Sequence, residues 1–169
     1  MASVLKVNEI QHTGGTSAMT IDTSGRILTP ARPAFHYSAH SVDGAQTGDI
    51  EFDLELFDTG NVFDNTVFTA PLTGLYQFEF IGYGSNSTNG STSGGHQLDL
   101  LKSTDGGSNF SVVLSSYCSL SGGYPILNFT TILELNLNDK IKLNCAAQYI
   151  YSHSQGSGKY TRFSGHLIG

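Results

Sequence analysis

Residues 68–80, FTAPLTGLYQFEF, limit what this chain can fold into more tightly than any other stretch. Pro71 and Gly74 mark a turn. From there Tyr76, Phe78 and Phe80 fall at every second position, with Gln77 and Glu79 between them. A period of two puts the three rings on one face of an extended strand and the polar residues on the other. A helix would scatter the rings around its circumference. A strand with such a face is stable only when a second layer covers it. The chain must therefore build a layered β structure.

Other segments repeat the pattern. Residues 34–40 set Phe35, Tyr37 and Ala39 against His36, Ser38 and His40. Residues 49–56, DIEFDLEL, predict one strand with Ile50, Phe52, Leu54 and Leu56 inside and four carboxylates outside. Leu133, Leu135 and Leu137 are expected inside, as are Ile141, Leu143 and Cys145, with Glu134, Asn136, Lys142 and Asn144 outside. Further strands are read at 66–70, 74–83, 97–102, 109–120, 126–137, 140–151 and 160–168. No long stretch shows helical periodicity. About ten short strands with turn signals every ~8–12 residues predict an all-β, antiparallel two-sheet sandwich. The Cys–Trp–Cys signature of immunoglobulin-like sandwiches is absent, because the chain has no Trp.

A length of 169 residues suits one domain and a short additional segment. TPARP, residues 29–33, breaks regular structure and divides a segment, 1–32, from a sandwich domain, 33–169. Within 1–32, AMTI and RIL flank Asp-Thr-Ser-Gly as a hairpin would. Such a ribbon has too little apolar face to stand alone in water. Val4, Leu5, Val7, Ile10, Met19 and Ile21 are the residues expected to attach it to its own copies or to a larger assembly.

The net charge is −6, and half of the acidic residues lie between positions 43 and 64, read mainly as the solvated face of one strand. The eight basic residues are scattered and form no stripe that could track a phosphate backbone, so nucleic acid is not an expected partner. MASVLKVNEIQ has no apolar core of a secretory signal, and no apolar run approaches the ~18 residues of a membrane span. Cys118 and Cys145 sit in strand-like runs as small apolar residues, and a bond between them stays open.

No nucleophile elbow, phosphate loop or HExxH motif is present, and no carboxylate pair suggests a glycosidase, so neither catalysis nor a cofactor is expected. His36 and His40 share a strand face, and a ring of three copies could hold a metal. They are read instead as exposed or hydrogen-bonded imidazoles. Asp58 and Asp64 frame a turn and are the calcium candidates, without a D-x-D-x-D loop around them. The loops at 84–95, 121–125 and 149–160 combine Tyr with Ser, Asn and Gly. Asn86, Asn89, Tyr124, Tyr151, His153 and Tyr160 are the candidate ligand contacts there.

Five blocks in order, PAFHYSAHS, FDTGNVFD, VFTAPLTGLYQFEF, LELNLNDKIKL and FSGHLIG, resemble the globular head of complement subcomponent q, a jelly roll of the tumour-necrosis-factor superfamily. The resemblance covers residues 33–169. It implies a jelly roll that forms a homotrimer and binds other molecules without catalysis. It also implies that Phe35, Tyr37, Tyr76, Phe78, Phe163 and Leu167 lie in the core or at the threefold contact, and some members bind calcium. The family's Gly-X-Y collagen stem is missing. In its place, SVLKVNEIQHTGGTSAMTIDTSGRIL resembles the N-terminal segment of bacteriophage structural proteins. That implies a phage virion protein: a trimeric head fibre, tail-fibre tip or capsid decoration. It would be held to other virion proteins and face a host glycan or protein. The alternative is a secreted ligand of the tumour-necrosis-factor or pattern-recognition type.

Overall fold

The computed structural model describes residues 6–39, 44–85, 93–121, 125–152 and 161–169. They form thirteen strands, with no helix among the described residues. The first three are β1 (Glu9–Gln11), β2 (Ser17–Ile21) and β3 (Ile27–Leu28). Ten more follow: β4 (Ala34–Ala39), β5 (Gly44–Asp49), β6 (Leu54–Thr59), β7 (Val67–Thr69), β8 (Gly74–Ser85), β9 (Ser93–Ser103), β10 (Ser111–Ser121), β11 (Ile126–Leu135), β12 (Lys140–Ser152) and β13 (Thr161–Leu167).

The ten make a sandwich in which every pairing is antiparallel. The first sheet runs β11-β8-β13-β4-β6, and the second runs β10-β9-β12 with β5 and β7 sharing the far edge of β12. The end of β12 crosses to β8 through Tyr149↔Ser85 and Tyr151↔Tyr83, so the two sheets are hydrogen-bonded into one system. At the other side β10 and β11 approach, and Ser116 Oγ donates to the Asn128 carbonyl at 3.1 Å.

The alternation read at 74–83 is realised in β8. Tyr76, Phe78 and Phe80 are fully buried, and Leu75, Glu79 and Ile81 are exposed. Nine of the twenty-one buried hydrophobic residues described are aromatic. The Phe35 ring stacks 4.8 Å from Phe63 and meets Phe163 edge-on at 5.2 Å. Gly165 makes this possible, because a Cβ there would lie 2.6 Å from Phe35 Cε1 and 2.8 Å from Phe78 Cδ1. Cys145 is buried and Cys118 partly buried. No disulfide joins them.

The strand expected at 49–56 is instead two strands in different sheets. β5 ends at Asp49 and pairs with β12, while β6 begins at Leu54 and pairs with β4. Residues 50–53 carry the chain between layers. Gly48, in the left-handed region at φ 75°, precedes the crossing. The Gln46 side chain clamps it: Nε2 donates to the Glu51 carbonyl at 2.9 Å and Oε1 accepts the Glu51 N–H at 2.7 Å. Ile50 and Phe52 are buried as expected, but Leu56 is exposed, because β6 meets its sheet in a different phase. Leu137 is exposed too. It lies in the turn after β11, where Asn138 takes a positive φ and Asp139 Oδ2 accepts the Asn136 N–H at 3.0 Å. The loop read at 84–95 is shorter at both ends, as β8 runs to Ser85 and β9 starts at Ser93.

The N-terminal segment forms three strands where two were read. β1, β2 and β3 pair with one another and with no strand of the sandwich. The β2–β3 turn is closed by Asp22, whose Oδ1 accepts the N–H groups of Ser24 and Arg26 at 2.9 Å and whose Oδ2 pairs with Arg26 Nε at 2.7 Å.

Candidate functional surfaces

The outer face of the first sheet mixes polar and large apolar side chains. The register sets its side chains in rows across strands. One row runs Phe57–His36–Ser164–Glu79–Thr130, the next Ser38–Arg162–Ile81–Asn128, and on the other side Ala34–His166–Gln77–Ile132. The centre is polar and shaped. His36, Glu79, Ile81, Arg162 and Ser164 line a depression of about 130 Å³, and the His36 ring stands edge-on to Phe57, centroids 6.0 Å apart. Large apolar side chains surround it. Leu75, Ile81, Ile126 and Phe57 are all exposed, and Ile132 reaches 56 %. Single exposed aliphatics are ordinary, whereas a cluster on one sheet face marks a contact surface.

The ribbon presents a second surface. Met19 pairs with Ile10, and Ile21 pairs with Ile27, so these four residues share one face. Ile10 and Ile27 are exposed, while Met19 and Ile21 are half-buried, as is Val7.

The central row of the second sheet's outer face is polar, with Val112 exposed on the same face. Ser115, Asp99, Asn144 and Asp49 stand opposite one another across β10, β9, β12 and β5. Asp49 accepts from Lys142 Nζ at 2.7 Å and Asn144 Nδ2 at 2.8 Å. Burial pushes the Asp49 carboxyl up, but the Lys142 and Asn144 bonds outweigh it and hold the carboxyl below its ordinary value of 3.8. A carboxyl depressed in the folded state stabilises the fold fully above its unfolded value, and that share is lost as pH falls through the folded value. Asp49→Asn should therefore flatten the fall of melting temperature between about pH 5 and pH 2. Scanning calorimetry across that range tests it. An acid limb of unchanged slope in the variant would dismiss the contribution of this pair.

The structure distributes the sequence-named residues as follows. Phe35, Tyr37, Tyr76, Phe78 and Phe163 are buried in the core of a single chain, and Leu167 packs against it half-buried. None of the five buried rings lies on an outer face. Tyr37 turns its hydroxyl to the edge of the core, donating to Glu55 Oε2 at 3.1 Å with Asp58 Oδ2 at 3.4 Å. Burial first, and then the two carboxylates, push this phenol well above its usual range. Asp58 and Asp64 are turn residues. Asp58 accepts the N–H groups of Val62 and Phe63 at 2.9 and 3.0 Å, and Asp64 Oδ1 accepts from Val67 N–H at 2.7 Å. Val4, Leu5, His40, Asn86, Asn89, Tyr124, His153 and Tyr160 lie outside the described residues, as does the Tyr151 side chain. Sequence reasoning missed Leu75, Ile81 and Ile132 as surface groups and Ile27 in the ribbon. Their signal was a large aliphatic at a position out of phase with the buried set.

No protein-family model and no curated protein sequence matches the chain. Solved structures do. The globular domain of a zebrafish complement 1qA protein superposes with a TM-score of 0.61 at 22 % identity, over 81 % of this chain and 98 % of that one. The Eiger TNF of S. frugiperda gives 0.61 at 11 %, over 82 % and 94 %. Murine APRIL gives 0.59 at 10 %, over 81 % and 99 %. At these identities the likeness is one of fold: an all-β jelly roll of the complement-1q and tumour-necrosis-factor type.

Proposed function

We propose that this chain is a non-enzymatic structural protein of a bacteriophage virion. It is a homotrimer of jelly-roll heads, each carried on its N-terminal ribbon. The ribbon carries the proposal. It is a three-stranded sheet with one apolar face, Ile10, Met19, Ile21 and Ile27, and it pairs with no strand of the head. A sheet that is apolar on one face must bury that face against another layer. The resemblance of SVLKVNEIQHTGGTSAMTIDTSGRIL to phage structural proteins supports a virion as that partner. The head supplies the trimer through the outer face of its first sheet, where exposed aliphatics surround Glu79 and Arg162. Closed threefold symmetry buries such a face and ends growth.

Removing residues 1–32 should leave a soluble trimer, of three times the mass of one truncated head by light scattering, that no longer joins particles. Incorporation of the truncated head at the full level would end the attachment role. Cryo-electron microscopy of particles then separates positions. Copy numbers on the order of hundreds mark a capsid decoration and a few tens a tail appendage. Absence of the chain from particles, together with its secretion, would favour the tumour-necrosis-factor-type ligand.

A further inference from the structure

The outer face of the second sheet takes no part in the ribbon or in the proposed trimer contact. Its central row, Ser115–Asp99–Asn144–Asp49, is held by bonds within the face. Asp99 is only 6 % exposed, and its Oδ1 accepts from Ser115 Oγ at 2.5 Å and Gln97 Nε2 at 2.9 Å. Asp49 is neutralised by Lys142, whose Nζ also lies 4.3 Å from the centre of the Phe110 ring. Beside this row stands Tyr117, two residues along β10 from Ser115 and opposite Gln97. It is 65 % exposed, the most open large hydrophobic side chain described on the head. Its ring does not stand away from the sheet. It lies over Gly95 of β9, where a Cβ would come within 2.7 Å of Tyr117 Cζ. Glycine at 95 leaves room for the ring to lie along the strand, with one side on backbone and the other open.

We infer that this face binds a neutral saccharide. One pyranose ring stacks its C–H groups on Tyr117 with a hydroxyl on Gln97, and following sugars of the same oligosaccharide cross β9 and β12 to reach Asn144 and Asp49. A rigid aromatic plane beside a few fixed polar groups supplies both the apolar and the directional parts of recognition. Charge selects the ligand class. A phosphate or sulfate would meet a row in which two carboxylates stand against one ammonium, a net negative charge. A cation would find Asp49 already paired with Lys142 and Asp99 enclosed. A packed protein surface would have to desolvate the whole polar row. A hydroxyl-rich uncharged ligand matches a face whose charges are answered internally. The inference rests on reading the head as a binding module, and not on the virion or the trimer.

The test uses the full-length chain on a glycan array of neutral oligosaccharides built on glucose, galactose, mannose and N-acetylglucosamine. Sialylated and sulfated oligosaccharides serve as charged comparators, and calorimetry is run on any binder. Binding to a neutral oligosaccharide is expected. Tyr117→Ala should weaken it about tenfold or more, the equivalent of one stacked ring. Gly95→Ala should weaken it similarly by displacing the ring, and Tyr117→Phe should keep it within about threefold. Melting temperature and oligomeric mass are measured alongside. Binding to charged glycans alone, full binding by Tyr117→Ala, or no neutral binder at millimolar concentration would each overturn the inference. A monomeric chain that still binds neutral glycans through Tyr117 would sink the trimer and leave this site standing.

Discussion

Phe35→Ala should destabilise the head by about 3–5 kcal/mol, the usual cost of truncating a phenylalanine in a packed core. For a domain of this size that is a fall of about 6–20 °C in melting temperature. Phe35 is 1 % exposed and stands where both sheets converge. Its ring is 4.8 Å from Phe63, 5.2 Å from Phe163, 5.4 Å from Phe68 and 6.4 Å from Phe78 and Tyr37. Phe78 and Phe163 come from the same sheet as Phe35, Phe68 comes from the second, and Phe63 from the segment after β6. Few of these rings can relax into the hole, because each is held by neighbours on its other side. Phe68 packs on Tyr76 at 5.3 Å and Phe163 on Phe52 at 5.7 Å. The cavity therefore persists, and its cost adds to the lost transfer energy. Phe35→Leu should cost clearly less, since it restores most of the volume. Urea titration followed by circular dichroism measures both. A loss below about 1 kcal/mol for Phe35→Ala would mean that the cluster collapses freely and is not the centre of the core.

Ile81→Glu should abolish self-association while the single head stays folded. Ile81 is exposed in the isolated chain, so a carboxylate there meets water and leaves the core untouched. In the proposed trimer the same position is covered. Three carboxylates would then be desolvated beside Glu79, which lies on the same face of β8 two residues away. Arg162 stands opposite position 81 and offers a counter-charge, but taking such a pair out of water where an isoleucine packed costs about 1–4 kcal/mol per copy. The association constant should fall by about a hundredfold or more, from ~3 kcal/mol lost. Light scattering over a dilution series reads the mass directly, and circular dichroism checks the fold. A trimer of unchanged stability in the variant would move the contact off this face. Ile132→Glu gives a second reading of the same surface from β11, since Ile132 sits opposite Gln77 in the neighbouring row.

Alternation was legible wherever one strand stayed in one sheet. Tyr76, Phe78 and Phe80 in β8, and Ile141, Leu143 and Cys145 in β12, are buried as their spacing requires. It misled where the chain changes layer. Residues 49–56 keep a perfect period of two, yet the local pattern carries no record of which partner strand each half finds. Gln46 and Gly48 mark the crossing, but their roles exist only once β12 and β4 are in place. The site was less legible than the fold. The aromatics read as either core or threefold contact are buried in the core of the single chain, a choice the sequence left open because it shows that a residue is apolar and not which apolar surface covers it. Ile81, Ile132 and Ile27 stand out only when the register shows them on a face otherwise polar or open.

By itself the sequence determined the class of structure: antiparallel strands in two layers. Side-chain period and turn chemistry are local properties, and they act before any long-range contact forms. The tertiary structure decided which strands became neighbours, and therefore which side chains share a surface. Glu79 and Arg162 are distant in sequence and lie in adjacent rows of one sheet face. Ser115, Asp99, Asn144 and Asp49 come from four strands and meet in one row. A binding surface on a jelly roll is a cross-strand object. It appears only when pairing over long separations has fixed the register.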